Sequence, residues 1–166
     1  PDDAEAKLRD ALLIANETED RRGQTLAGLW LGILLWEHDD PEAPHLLARV
    51  GRMASEMGLS RAEALCLAIQ SRIARERGNL EEALQDSERA ILLLERHGAE
   101  MADRIVIVGT RALVLHSTGD HDGGVRLVKD LRRRLRRESD RVQNAELRRN
   151  HVGASRRLLD AVLSPE

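Results

Sequence analysis

The side chains of this 166-residue chain with the widest chemical repertoire are six histidines, one cysteine and a dense run of arginines. His116 and His121 flank a short stretch with Asp120 and Asp122. Imidazole and carboxylate groups across a turn are the donor types of a zinc or other metal site. No cysteine lies nearby and the spacing matches no zinc signature, so the same residues read as turn and cap residues, and no metal is expected. Glu37, His38, Asp39 and Asp40 offer oxygen ligands for a divalent cation or a basic peptide. The simpler reading is a helix end that runs into a turn capped by Asp. Cys66, between Leu65 and Leu67, would need a base and an electropositive, partly exposed niche to act as a nucleophile. In an apolar helix it reads as a small buried residue. No phosphate-binding glycine loop, paired catalytic carboxylates or hydrolase triad is visible, and Gly123-Gly124 follows a helical pattern instead of a strand. The chain is therefore expected to be non-catalytic and to use no cofactor.

The densest charge feature is Lys129, Arg132, Arg133, Arg134, Arg136 and Arg137. Such a run suits phosphate or nucleic acid, an acidic protein partner, or a solvated helix face laced to Asp130, Glu138 and Asp140. On a helix these arginines spread around most of the circumference, so they cannot all meet one linear polyanion. Residues 1–103 carry 12 basic and 21 acidic side chains, a net −9, whereas residues 104–166 carry 14 and 8, a net +6. An acidic body repels phosphate, which leaves nucleic acid the least favoured partner. Trp30 and Trp36 are the only aromatic residues apart from histidine, too few to stack single-stranded bases. Six residues apart, they fall on different helix faces; core packing is the first expectation for both, and the alternative is that one stands exposed on the concave groove or packs against the next helix.

These residues must be positioned by helices. Leu, Ala, Arg and Glu dominate, and there is no Phe or Tyr to favour strands. No apolar run reaches membrane-spanning length, so no membrane contact is expected. A single cysteine excludes an internal disulfide and fits a reducing, cytoplasmic setting. The chain opens at Pro1 directly into a helical pattern with no signal peptide, so an excised or processed part of a longer protein is expected.

Three turn-plus-helix segments align: Asp39-Asp40-Pro41-Glu42-Ala43-Pro44, Gly78-Asn79-Leu80-Glu81-Glu82-Ala83 and Gly119-Asp120-His121-Asp122-Gly123-Gly124. Their intervals are 39 and 41 residues, and a truncated copy opens the chain at Asp2-Asp3-Ala4. In each, Gly or Asp takes the left-handed end of one helix, and Asn79 or Asp120 is expected to cap the next. The helix before each turn has a small residue midway, at Gly32, Ser71 and Ala112, where two helix backbones can approach closely. The patterns predict helices over 2–17, 20–37, 42–57, 60–77, 80–97, 101–118, 121–138 and 140–162, joined by short connections and therefore antiparallel.

The run Gly78-Asn79-Leu80-Glu81-Glu82-Ala83-Leu84, with Ala90 seven residues after Ala83, resembles the turn and second helix of a tetratricopeptide repeat. Asp20–Ala27 followed by Leu31-Gly32 is similar to the linker and first helix of the roughly 40-residue variant common in bacterial regulators. The resemblance spans about residues 2–138. Pro44 and Gly124 stand where the family usually has Ala, Leu131 replaces a small residue, and aliphatics fill the aromatic positions. The resemblance implies an all-α, right-handed α-solenoid of antiparallel helix pairs over 1–138, with 139–166 as a capping or linker helix.

It also implies a protein-interaction or sensor module that holds a protein or peptide partner on the concave face of the first helices. Exposed polar residues expected there are Gln24, Glu63, Gln70, Arg104 and Arg111, with Trp30 as an anchor and Arg133 and Arg137 as charged contacts. The alternative is a homodimer formed through the Arg-rich C-terminal helices. Either would be attached to an output domain such as a diguanylate cyclase, a kinase or a transcriptional regulator.

Overall fold

The computed structural model describes residues 2–140 and Gly153. Seven α-helices follow one another: α1 Asp2–Glu17, α2 Arg21–Glu37, α3 Ala43–Glu56, α4 Ser60–Glu76, α5 Leu80–His97, α6 Met101–Ser117 and α7 His121–Asp140. No strand occurs among the described residues. These boundaries agree with the sequence pattern to within two residues. The helix expected over 140–162 lies outside the described residues, apart from the end of α7 and Gly153.

Each connection is three to five residues long and carries one residue with positive φ: Glu19, Asp39, Gly58, Gly78, Gly98 and Gly119. At five of them the chain closes with the same pair of backbone bonds. The Asn79 N–H donates to Ala74 O at 2.8 Å and the Gly78 N–H to Arg75 O at 3.0 Å. The Asp120 N–H donates to Leu115 O at 2.9 Å and the Gly119 N–H to His116 O at 3.1 Å. This six-residue closure satisfies carbonyls that a helix end leaves orphaned, and it requires the left-handed residue. The connection at Gly98 departs from it: Gly98 donates to Leu94 O, and its ψ of 174° sends the chain away extended.

Side-chain caps differ from expectation at one place. Asp120 accepts from the Gly123 N–H at 2.9 Å, and Asp20 does the same for Arg22 and Gly23. Asn79 makes no side-chain cap bond. The first turn of α5 instead carries Glu81 and Glu82, whose charges suit the positive helix end. Asp39 and Asp40 serve the turn before α3: Asp39 has φ 56°, and the Asp40 carboxylate accepts from the Glu42 N–H at 2.8 Å.

Helices pack on their sequence neighbours, and in addition α2 packs on α4 and α4 on α6. The first helices of the pairs thus form a row, α2–α4–α6. The small residues seen in sequence are where the pairs touch. Ser71 is fully buried and its hydroxyl donates to Ala83 O at 2.7 Å, joining α4 to α5. A Cβ on Gly124 would stand 2.9 Å from Ala112 O, so α7 approaches α6 backbone to backbone. A Cβ on Gly32 would stand 2.8 Å from Cγ and Cδ2 of Leu47, itself wholly buried. One apolar core runs from Leu29, Leu31 and Leu35 through Leu47, Leu65 and Ile69 to Ile105, Leu131 and Leu135.

Candidate interaction surfaces

The register of the repeat allows equivalent positions on successive first helices to be compared. Leu26 and Trp30 of α2 correspond to Leu65 and Ile69 of α4 and to Val106 and Thr110 of α6. Leu65 and Ile69 are each 3% exposed and Thr110 is fully buried, because another first helix lies before α4 and before α6. Nothing among the described residues precedes α2 in this row. Leu26 is accordingly 42% exposed and Trp30 47%. On the adjoining α1, Leu13 and Ile14 are also exposed. The expectation that both tryptophans pack in the core is corrected for Trp30. Trp36 is half-buried, and the Arg72 guanidinium carbon sits 4.8 Å from its ring centroid, a cation–π contact.

The five polar residues expected to stand exposed on the first helices are all half-buried. Two are occupied by the fold itself. The Gln24 amide donates to Ala15 O at 3.1 Å, tying α2 to α1. Arg111 donates from Nη1 to Leu84 O at 2.9 Å and to Ser87 Oγ at 3.0 Å, while Ser87 donates to Ala83 O at 2.7 Å. With Ser71 on the same Ala83 oxygen, this network spans α4, α5 and α6 and saturates the carbonyls between them. Glu63 pairs loosely with Arg89 of α5 at 3.5 Å. Gln70 and Arg104 remain without a hydrogen bond to a described side chain.

Lys129, Arg132, Arg133 and Arg136 share one side of α7 and line a cleft of about 490 Å³. Arg133 pairs with Asp130 on its own helix, and Arg137 is exposed. Arg134 faces a different cleft, beside Arg104. The arginine run is therefore divided between two surfaces.

The sequence offered no signal for one further lock. Asp103 is 5% exposed, and its carboxylate meets Arg61 across α6 and α4, with Nε 2.6 Å from Oδ2 and Nη2 donating to Oδ1 at 3.2 Å. The hydrogen bond to Asp103 holds the Arg61 guanidinium above its ordinary value. The pairing needs a partner 42 residues away, which no local pattern announces.

Among the described residues, Cys66 and the His116–His121 pair stand apart from each other. Cys66 is fully buried, and burial, then the nearby Glu63 charge, push its thiol up to about 12. A thiol so held is not a nucleophile at neutral pH. His116 and His121 face each other with Nδ1 atoms 2.8 Å apart, one donating and the other accepting. No group of three His, Cys, Asp or Glu side chains converges on a metal-sized site among the described residues. No described helix is long and apolar enough to cross a membrane. Compared with protein-family models, curated proteins and solved structures, the chain matches none of them.

Proposed function

We propose that this chain is a non-catalytic interaction module of a bacterial signalling or regulatory protein, holding a peptide or partner domain on the row of first helices. The observation that carries this reading is the open register at Leu26 and Trp30. A surface tryptophan about half exposed, beside Leu26 one helical turn away, has the composition of an interface anchor. The same positions in the next two helices are filled by helix packing, so the surface at α2 is shaped to receive another helix or extended segment. Half-buried Gln70 on the row supplies amide donors and acceptors for a bound backbone.

Selection of ligands from a displayed peptide library by the intact chain tests it. Selected peptides are expected to perturb the fluorescence of Trp30, and Trp30→Ala is expected to weaken them by about 2 kcal/mol, roughly thirtyfold. Failure to select any ligand, or ligands that bind Trp30→Ala equally well, would refute the reading.

A second reading, self-association, is favoured by the one-sided basic cleft of α7 and the net −9 of residues 1–103. Head-to-tail contact would join unlike surfaces of two copies. Light scattering at low and high salt decides it: a dimer that dissociates with salt supports charge pairing, and a monomer at all salts removes it.

A further inference from the structure

Between α5, α6 and α7 lies a cleft of about 500 Å³, within the size range of small-ligand sites. Its floor is aliphatic. Leu94, Val108 and Leu131 are each less than a tenth exposed there, flanked by half-buried Ile91 and Leu127. The polar groups stand on the walls, and two of them are guanidinium groups, Arg104 of α6 and Arg134 of α7.

Arg104 is placed against its own interest, whereas Arg134 stands exposed on the wall opposite. Arg104 is half-buried, and its guanidinium lies below its ordinary value, first because burial removes water and next because Arg134 repels it. Glu138 opposes the shift without cancelling it. Neither arginine forms an ion pair within 4 Å with a described carboxylate. Of the acids at the rim, Asp130 is already paired with Arg133. Half-buried Arg104, beside a like charge, lacks a close anionic partner among the described residues, and an anion set between the two guanidinium groups would supply one.

We propose that this cleft binds a ligand with one carboxylate and a short aliphatic body, the carboxylate bridging Arg104 and Arg134 and the body lying on Leu94, Val108 and Leu131. The chemistry of the walls narrows the class. Glu95, Asp130 and Glu138 surround the arginines, so a monoanion is favoured over a phosphate dianion. The floor presents aliphatic carbon and no aromatic face, which suits an alkyl group better than a nucleobase. Gly98 at the cleft edge leaves the entrance open, since even a Cβ there would meet nothing within 4 Å.

Two sources supply this chemistry: a free aliphatic acid, or an acidic residue beside a leucine in a protein segment. Titration of the intact chain, followed by heteronuclear NMR, with octanoate, octanamide and a capped Leu-Glu-Leu tripeptide separates them. Octanoate or the tripeptide is expected to shift the amide signals of Gly98, Arg104 and Leu131, and whichever binds identifies the source. Octanamide is expected to bind at least about tenfold more weakly, the worth of one charge-assisted hydrogen bond. Arg104→Gln and Arg134→Gln should each cost about tenfold, while Arg132→Gln, on the other side of α7, should not. Far-UV circular dichroism of each variant confirms that it is folded. Absence of binding by both acids, equal binding of octanamide, or indifference to Arg104→Gln overturns the proposal. The inference is independent of the α2 surface, because Trp30→Ala is expected to leave octanoate binding intact.

Discussion

Replacing Gly32 by Ala probes the close helix approach on which the repeat depends. The added Cβ would stand 2.8 Å from Cγ and Cδ2 of Leu47, well inside ordinary van der Waals separation. Overpacking of this kind costs about 1–3 kcal/mol, and the better helix propensity of Ala returns about 1 kcal/mol. A net destabilisation of about 1 kcal/mol is expected. Leu47 is wholly buried, so Leu47→Ala alone should cost about 2–5 kcal/mol through lost burial and a cavity. In the Leu47→Ala background the clashing atoms are gone. Gly32→Ala then contributes its propensity and fills part of the cavity, so there it should stabilise by about 1 kcal/mol. The two changes are therefore coupled by about 2 kcal/mol. Urea unfolding of the four proteins, followed by far-UV circular dichroism, measures this. In thermal unfolding of the same four proteins the melting temperature should move by about 3 °C down in one background and up in the other. The same sign in both backgrounds would refute the packing argument.

Three further outcomes are expected. Cys66, buried and held up to about 12, should resist a maleimide in the native protein and react once urea unfolds it; modification at the rate of a free thiol would contradict its burial. Gly78→Ala and Gly119→Ala should each lose about 1–2 kcal/mol in urea unfolding, although a Cβ at either position meets nothing within 4 Å, because φ of 79° and 89° is costly for any residue with a Cβ. Gly78→Asn should lose less, and equal losses for Ala and Asn would point away from backbone strain. Asp86 is raised by burial and then by Glu82, with Arg89 opposing, so the folded chain holds its proton to higher pH than the unfolded chain. Between the unfolded and folded values the folded state binds more protons, and stability falls as pH rises through that window. Asp86→Asn should therefore raise the urea midpoint at neutral pH and lose this advantage below the ordinary carboxylate range; an advantage independent of pH would exclude the charge as its cause.

Local rules made much of this protein legible from its residues alone. Leu80, Ala83, Leu84, Ser87, Ala90, Ile91 and Leu94 recur at three and four, and α5 is found where they say. Gly78, Asp39 and Gly119 end helices because a left-handed residue closes the same six-residue turn each time. Ser71 with Ala83 and Ala112 with Gly124 meet because small residues are the only ones that fit between paired backbones. Asn79 takes the N-cap position of α5 as its type suggests but makes no side-chain bond there, and the acids that follow it complement the helix end.

What the sequence by itself determined was thus the helices, their turns and their period, all of which depend on contacts within a few residues. Tertiary structure alone decided which surfaces are open and which charges meet. Trp30 and Ile69 occupy equivalent positions, yet only the absence of a preceding helix among the described residues leaves Trp30 exposed. Gln24 and Arg111 look like free surface groups in sequence, and burial between helices turns them into structural donors. Arg104 and Arg134 lie 30 residues apart, and only the packing of α6 on α7 brings their charges over one apolar floor. Burial and charge proximity are properties of three-dimensional neighbours, and a chain written in one dimension does not name them.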